Sequence, residues 1–209
     1  MAFLLDRPTG VELYVVSTGT AQARRVLDVA VNDVSAGSPY HWVDGKTLVV
    51  MAVPDDRGST PERDAAPAGP VIQDHPGGEA PARTYQDLLT DPHDEEVFAH
   101  FMMSQLTRVT LDGVATQVGQ PDLFVEASPS PDGRYLLVRR IHDPFSYLVP
   151  YYRFPESIEV WNQNGDVVQI ASLPLAEDVP TAFGSVRTGP RDMEWRGDAA
   201  GTLVWAEAL

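Results

Sequence analysis

Residues 130–138 read Ser130-Pro131-Asp132-Gly133-Arg134-Tyr135-Leu136-Leu137-Val138, a polar tight turn that leads directly into an apolar strand. A similar turn and strand occur upstream, in Trp42-Val43-Asp44-Gly45-Lys46-Thr47-Leu48-Val49-Val50. A third and weaker copy runs downstream from Trp195 through Gly201 to Trp205. A turn-plus-strand unit that recurs along a chain is typical of repeat architectures, and this unit is typical of the blades of a β-propeller.

Three β-hairpins each precede one of these units. The first joins Glu12–Val16 to Ala23–Leu27, the second turns at Asp112-Gly113, and the third turns at residues 162–165. An Asp-Gly pair between two apolar runs is a strong hairpin signal. The chain contains about three blades of this kind, whereas a closed propeller needs at least about four. We therefore predict an all-β fold, a partial β-propeller that spans residues 1–209.

The spacing of the repeats indicates insertions. The turn aspartates Asp44, Asp132 and Asp198 lie 88 and 66 residues apart, whereas a plain blade takes about 40–45 residues. A Pro/Gly-rich stretch at 54–82 predicts a long loop within the first interval. The run 141–155 predicts a second insertion.

One inserted helix is predicted near residues 92–104. Asp91 suits the N-cap and Pro92 suits the first helical position. Val97, Phe98 and Phe101 then recur at helical spacing and predict one apolar face.

Composition limits the classes of partner. The formal net charge is −15, from 30 acidic and 15 basic residues. Such a surface repels phosphate backbones and anionic membranes, so we predict no nucleic-acid and no membrane partner. There is no cysteine, which excludes disulfides, thiolate metal sites and a cysteine nucleophile. We expect a cytoplasmic protein, because no apolar run resembles a signal peptide or a membrane span.

Catalytic motifs do not occur in the sequence. G-x-S-x-G, H-E-x-x-H and the Gly-rich phosphate loops are all missing, so we predict no catalytic residue, no metal site and no cofactor. Four arginines nevertheless cluster in this acidic chain, at Arg134, Arg139, Arg140 and Arg153. Because a guanidinium binds a carboxylate through two parallel hydrogen bonds, we predict that Arg139, Arg140 and Arg153 bind an acidic substrate group. The alternative is that they pair with the abundant surface carboxylates.

Several longer runs carry a resemblance to a known family. The chain resembles the glutamyl-endopeptidase-like branch of the prolyl oligopeptidase family of serine peptidases. The runs that carry it are Gly69–Gln73, Ala80–Leu89, Asp91–Glu95, Ser104–Leu106, Pro129–Gly133, Pro144–Pro150 and Leu173–Glu177. Of these, the segments 83–89 and 144–150 are the most specific.

The resemblance implies a two-domain serine peptidase. In that family an N-terminal β-propeller caps a C-terminal α/β-hydrolase domain that carries a Ser–Asp–His triad, and this branch cleaves peptides after glutamate. The hydrolase domain is expected to be absent from this chain, so no catalytic residue is carried over. The expected function is a non-catalytic gate for substrate access. Its expected partners are the C-terminal α/β-hydrolase domain of the same protein and peptide substrates.

Two other interpretations stay open at this point. The first is a stand-alone propeller-like binding or scaffold protein. The second is an independent hydrolase whose site is not recognised in the sequence.

Overall fold

A computed structural model of the protein describes residues 1–63, 85–163, 165–180 and 184–208. In these residues antiparallel β-sheet dominates, with one α-helix. Four sheets follow one another in chain order, with three, four, four and two strands. The predicted all-β, partial propeller-like fold is therefore confirmed. The predicted insertion at 54–82 lies largely outside the described residues.

The first two sheets occupy the N-terminal half of the chain. The first sheet contains, in spatial order, β1 (Ala2–Arg7), β2 (Gly10–Val16) and β3 (Ala23–Arg25). The second contains β4 (Tyr40–Trp42), β5 (Thr47–Ala52), β6 (Gln105–Thr110) and β7 (Ala115–Gln117). In both sheets each strand is hydrogen-bonded to the next strand in sequence.

The last two sheets repeat this meander. The third contains β8 (Phe124–Pro129), β9 (Tyr135–Ile141), β10 (Glu156–Asn162) and β11 (Val167–Leu173). The fourth contains β12 (Gly189–Trp195) and β13 (Leu203–Ala208). The turn at 130–134 joins β8 to β9, as the turn at 43–46 joins β4 to β5. In the second and third sheets the recurring unit therefore supplies the first two strands, and the hairpin that follows it supplies the other two.

The turns of neighbouring sheets contact one another. Asp132 Oδ1 accepts the Arg134 amide at 3.1 Å, and Asp44 Oδ1 accepts the Lys46 amide at 2.7 Å. Each carboxylate thus satisfies a backbone donor of its own turn. Gly133 lies so close to the previous sheet that a Cβ on it would be 2.8 Å from the Val43 carbonyl oxygen. The aspartate therefore stabilises its own turn in both copies, whereas the glycine is required for close packing only at Gly133, since a Cβ on Gly45 would meet nothing within 4 Å.

The central strands are buried on both faces. Leu48 and Val50 of β5 pack against the first sheet, whereas Val49 and Met51 pack against the third. In the same way Leu136 and Val138 of β9 face the second sheet, while Leu137 faces the fourth. Successive side chains of a strand point to opposite faces. A continuous apolar run in both strands therefore stacks the sheets face to face.

The helix and the second insertion pack together at one end of the sheets. Helix α1 (Pro92–Met102) begins at the predicted cap, where Asp91 accepts the Asp94 amide at 3.0 Å. The Phe98 ring lies edge-on to Phe145 and Phe154, with ring centroids 5.3 and 5.7 Å apart. The two insertions occupy equivalent positions, since each lies between the second and third strands of its own sheet. Their shared apolar cluster orders the loop that carries Arg153.

We predict that Gly133→Ala destabilises the fold more than Gly113→Ala. Both glycines have positive φ, +69° and +87°, but a Cβ at Gly113 meets nothing within 4 Å. The control should lose about 1 kcal/mol from backbone strain. Gly133→Ala should lose about 1–3 kcal/mol more, because its Cβ collides with backbone of the neighbouring sheet. Urea unfolding measures both variants, and equal losses would contradict the contact between turns.

Candidate functional site

Arg139 and Arg140 are adjacent on β9, so their side chains leave opposite faces of the third sheet. Arg139 lies opposite Ile158, on the face that the fourth sheet covers. Arg140 lies on the other face, where Glu159 also projects. The structure therefore does not bring the three predicted arginines into one cluster.

Arg139 is held between two glutamates. Its Nε and Nη2 form a two-pronged pair with Glu156, with Nη2 to Oε2 at 3.1 Å, and Nη1 lies 3.5 Å from Glu126 Oε2. Only 7% of the Glu156 side chain is exposed. Burial lowers the pKa of Arg139, but the hydrogen bonds and charges of Glu156 and Glu126 outweigh it and leave that pKa raised. Its guanidinium is therefore committed to internal partners.

Arg140 has the same kind of environment. Its Nη2 lies 2.7 Å from Glu159 Oε1, and its Nη1 lies 2.5 Å from Asp122 Oδ2. Glu159 also accepts the indole N–H of Trp161 at 2.8 Å. The hydrogen bond to Glu159 raises the pKa of Arg140 more than partial burial lowers it, and Asp122 adds to the rise. This arginine therefore links β9 to β10, through Glu159, and to the segment that precedes β8, through Asp122.

Arg139 lines a cavity of about 450 Å³ beside the inner strands β4 and β8. The other lining residues are Ala36, Gly37, Ser38, His41, Val125, Glu126, Ile141, Tyr151, Tyr152 and Glu156. Burial lowers the pKa of His41, although the nearby Glu126 charge opposes that change. The cavity lining thus contains the carboxylates of Glu126 and Glu156 and the guanidinium of Arg139. The His41 imidazole is neutral at pH 7. Such a lining repels a substrate carboxylate.

Arg153 differs from the other two predicted residues. It lies in a 3₁₀ turn (Tyr151–Arg153), and its Nη1 donates to the carbonyl oxygens of Ala176 and Val179 at 3.2 and 2.7 Å. Its guanidinium also lies 6.0 Å from the Tyr85 ring centroid. Among the described residues it forms no ion pair. Carbonyl oxygens orient this guanidinium without neutralising its charge.

Arg187, which the sequence analysis missed, lies close to Arg153. It donates to the carbonyl oxygens of Phe154 and Pro174. Burial lowers the pKa of Arg187; the Glu156 charge raises it, and the charges of Arg139 and Arg153 lower it further. Its Nε is buried and has no hydrogen-bond partner in the described part of the chain. No local sequence signal predicts that Arg187 lies near Arg153, because β10 and β11 separate the two residues along the chain.

Arg153 and Arg187 form the strongest candidate anion contact, and we call them the arginine pair. Both guanidinium groups are held by backbone carbonyls around the connection 174–179. The charge of Arg153 is one of those that lower the pKa of Arg187, so the two guanidinium groups lie close enough to interact, with the Glu156 carboxylate also near Arg187. Chemically, such a pair can bind and orient a carboxylate.

Comparison with known proteins identifies relatives. No known protein-family profile matches the chain. It is 40% identical over 170 residues to the probable glutamyl endopeptidase, chloroplastic, of Oryza sativa subsp. japonica. It is 42% identical over 170 residues to the protein of the same name from Arabidopsis thaliana. This chain is related to a segment of glutamyl endopeptidases. The resemblance to glutamyl endopeptidases seen in the sequence is therefore confirmed.

The match covers 80% of this chain but only 18% of each relative. The relatives are named chloroplastic, which does not support the expected cytoplasmic location. No helix in the described residues is long and apolar enough to cross a membrane. The same residues contain no group of three or more His, Asp or Glu side chains placed to hold a metal ion.

We predict that Arg139→Ala lowers the free energy of unfolding by about 2–3 kcal/mol, because it leaves Glu156 buried without its partner. Arg134→Ala is the control, since the Arg134 side chain is 68% exposed and lies 3.9 Å from Asp132. The control should change stability by less than about 0.5 kcal/mol. The double variant Arg139→Leu with Glu156→Leu should recover much of the loss, because the deeply buried charge is then removed with its partner, while the remaining Glu126 carboxylate is 31% exposed to water. Urea unfolding at pH 7 measures all three, and an Arg139→Ala loss no larger than that of the control would contradict the buried pair.

Proposed function

We propose that this chain is a non-catalytic, propeller-like portion of a glutamyl-endopeptidase-like serine peptidase, where it controls the access of peptide substrates. The observation that carries the proposal is the identity of about two residues in five over 170 residues to proteins named glutamyl endopeptidase. The prolyl oligopeptidase family and an α/β-hydrolase partner domain belong to the same proposal. The cytoplasmic location stays a prediction.

The stacked sheets suit a gate more than a catalyst. Face-to-face burial of β5 and β9 makes a rigid body; the second insertion carries Arg153, and the connection between β11 and β12 carries Arg187. Two insertions from neighbouring sheets meet at one end of this body through Phe98, Phe145 and Phe154. A peptide that enters at this end passes ordered loops whose positions the sheets fix.

A substrate contact is proposed for the arginine pair. A peptidase that cleaves after glutamate needs a positive group to offset the desolvation of the substrate carboxylate. Arg153 and Arg187 supply such charge with carbonyl oxygens as their direct partners. Arg139 and Arg140 already bind carboxylates of the chain itself, so a substrate would have to displace Glu156 or Glu159. Of the three residues predicted from the sequence, Arg153 is therefore the one we propose for the substrate.

The test is a chimera in which this chain replaces the segment that it matches in the Arabidopsis thaliana relative. The 209-residue chain alone should not cleave glutamyl peptides, whereas the chimera should. In the chimera, Arg153→Gln should lower kcat/KM for a glutamyl peptide about tenfold or more, through loss of a charge-assisted hydrogen bond. A matched glutaminyl peptide should be cleaved as before.

Arg134→Gln is the matched control, because the Arg134 side chain is 68% exposed and lies in the turn before β9, whereas Arg153 lies in the insertion after β9. It should leave both substrates unchanged. An equal loss on both peptides in Arg153→Gln would contradict the proposed substrate contact. Cleavage by the purified chain alone would contradict the non-catalytic role, and an inactive chimera beside an active parent would contradict the shared function.

A further inference from the structure

Ser146 lies in the second insertion, and the residue is fully buried. Its hydroxyl donates to Glu177 Oε1 at 2.5 Å and accepts the amides of Leu148 and Val149 at 3.0 and 3.3 Å. A serine hydroxyl has one proton and two lone pairs, so all of its hydrogen-bonding capacity is used. The proton goes to Glu177, which belongs to the connection between β11 and β12. We call this hydrogen bond the Ser146–Glu177 bridge.

The connection that the bridge holds also carries the carbonyl groups that orient Arg153. Glu177 lies between Ala176 and Val179, whose carbonyl oxygens accept Arg153 Nη1 at 3.2 and 2.7 Å. The Ala176 amide in turn donates to the Arg153 carbonyl oxygen at 2.9 Å. A displacement of Glu177 therefore moves both acceptors of this guanidinium, and with them the direction in which it points.

We propose that Ser146 and Glu177 are positioning residues for the arginine pair, and that their hydrogen bond sets how strongly the site prefers a glutamyl to a glutaminyl side chain. Neither residue contacts the substrate in this proposal. The bridge fixes the carbonyl groups that aim the Arg153 guanidinium, so the guanidinium loses little freedom when a carboxylate binds. This inference rests on the substrate contact proposed above for the arginine pair.

Electrostatics alone predicts the opposite effect for the loss of Glu177. Removal of a negative charge from this connection makes the surroundings of the arginine pair more positive, which favours a glutamyl substrate. Loss of positioning weakens the same preference. Glu177→Ala removes the charge and the acceptor together, whereas Glu177→Gln removes the charge and keeps a side-chain oxygen that accepts the Ser146 hydroxyl.

Asp178→Ala is the matched control. Asp178 is the next acidic residue on the same connection and is exposed. Within the described part of the chain its side chain forms no hydrogen bond or ion pair. This variant therefore removes one negative charge without removing a contact that holds the connection.

The first measurement is NMR of the purified chain with isotope-labelled arginine, with Arg153→Lys to identify the Arg153 signals. In the unaltered chain the carbonyl partners should slow rotation of the Arg153 guanidinium. Glu177→Ala should make that rotation as fast as in Arg134, whose side chain is 68% exposed. Glu177→Gln and Asp178→Ala should leave it slow. Unchanged Arg153 signals in Glu177→Ala would overturn the inference and leave the proposed function standing.

The second measurement uses the chimera and the paired glutamyl and glutaminyl peptides. Glu177→Ala should lower the ratio of the two kcat/KM values about threefold to tenfold, as expected for the loss of one hydrogen bond. Glu177→Gln and Asp178→Ala should keep or raise that ratio. Adding Ser146→Ala to Glu177→Ala should lower the ratio no further, because the two residues act through one bond.

The outcomes separate this inference from the proposed function. If Arg153→Gln lowers the ratio and Glu177→Ala does not, the arginine contacts the substrate but the bridge does not position it. An equal loss in Glu177→Ala and Glu177→Gln would assign the effect to charge and would also overturn the inference. If Arg153→Gln itself leaves the ratio unchanged, the substrate contact is wrong, and the specificity role of the bridge is wrong with it.

Discussion

Burial of β5 and β9 on both faces is the constraint on which the rest of the structure depends. Leu48 and Val49 are consecutive residues, and both are almost completely buried, yet they belong to different core layers. A strand in this position needs an apolar sheet on each side, so each sheet requires a neighbour. Removal of one sheet would expose the apolar side chains of its neighbour to water. The stack therefore sets the order of the sheets, the contacts between their turns and the place where the insertions leave.

The candidate site follows from that stack. Both insertions depart from the connection between the second and third strands of their sheets, and they meet through the Phe98 cluster. This cluster holds the 3₁₀ turn that presents Arg153, and the connection to the fourth sheet presents Arg187. The arginines differ in whether their partners are charged carboxylates or uncharged carbonyl groups. Arg139 and Arg140 are neutralised by glutamates and stabilise the third sheet, whereas the arginine pair has carbonyl partners and can meet an anion.

Local signals were sufficient to predict much of the fold. The Asp-Gly turns, the apolar strands after them and the capped helix at Asp91 and Pro92 all depend on neighbouring residues, and the structure confirms them. The pairing of β5 with β6 could not be read locally, because about fifty residues separate the two strands. Alternation along β9 separates Arg139 from Arg140, although they appear as a cluster in the sequence. Arg187 gave no signal at all, since only the folding of the connection 174–188 brings it near Arg153.

Native-state hydrogen exchange of the whole chain tests the stack most directly. If β5 and β9 are the shared walls of neighbouring core layers, their amides exchange only through global unfolding and are the slowest in the molecule. Amides of β13, which pairs with β12 alone among the described strands, should then exchange much faster. Exchange in β5 and β9 as fast as in β13 would contradict face-to-face stacking, and with it the position of the site.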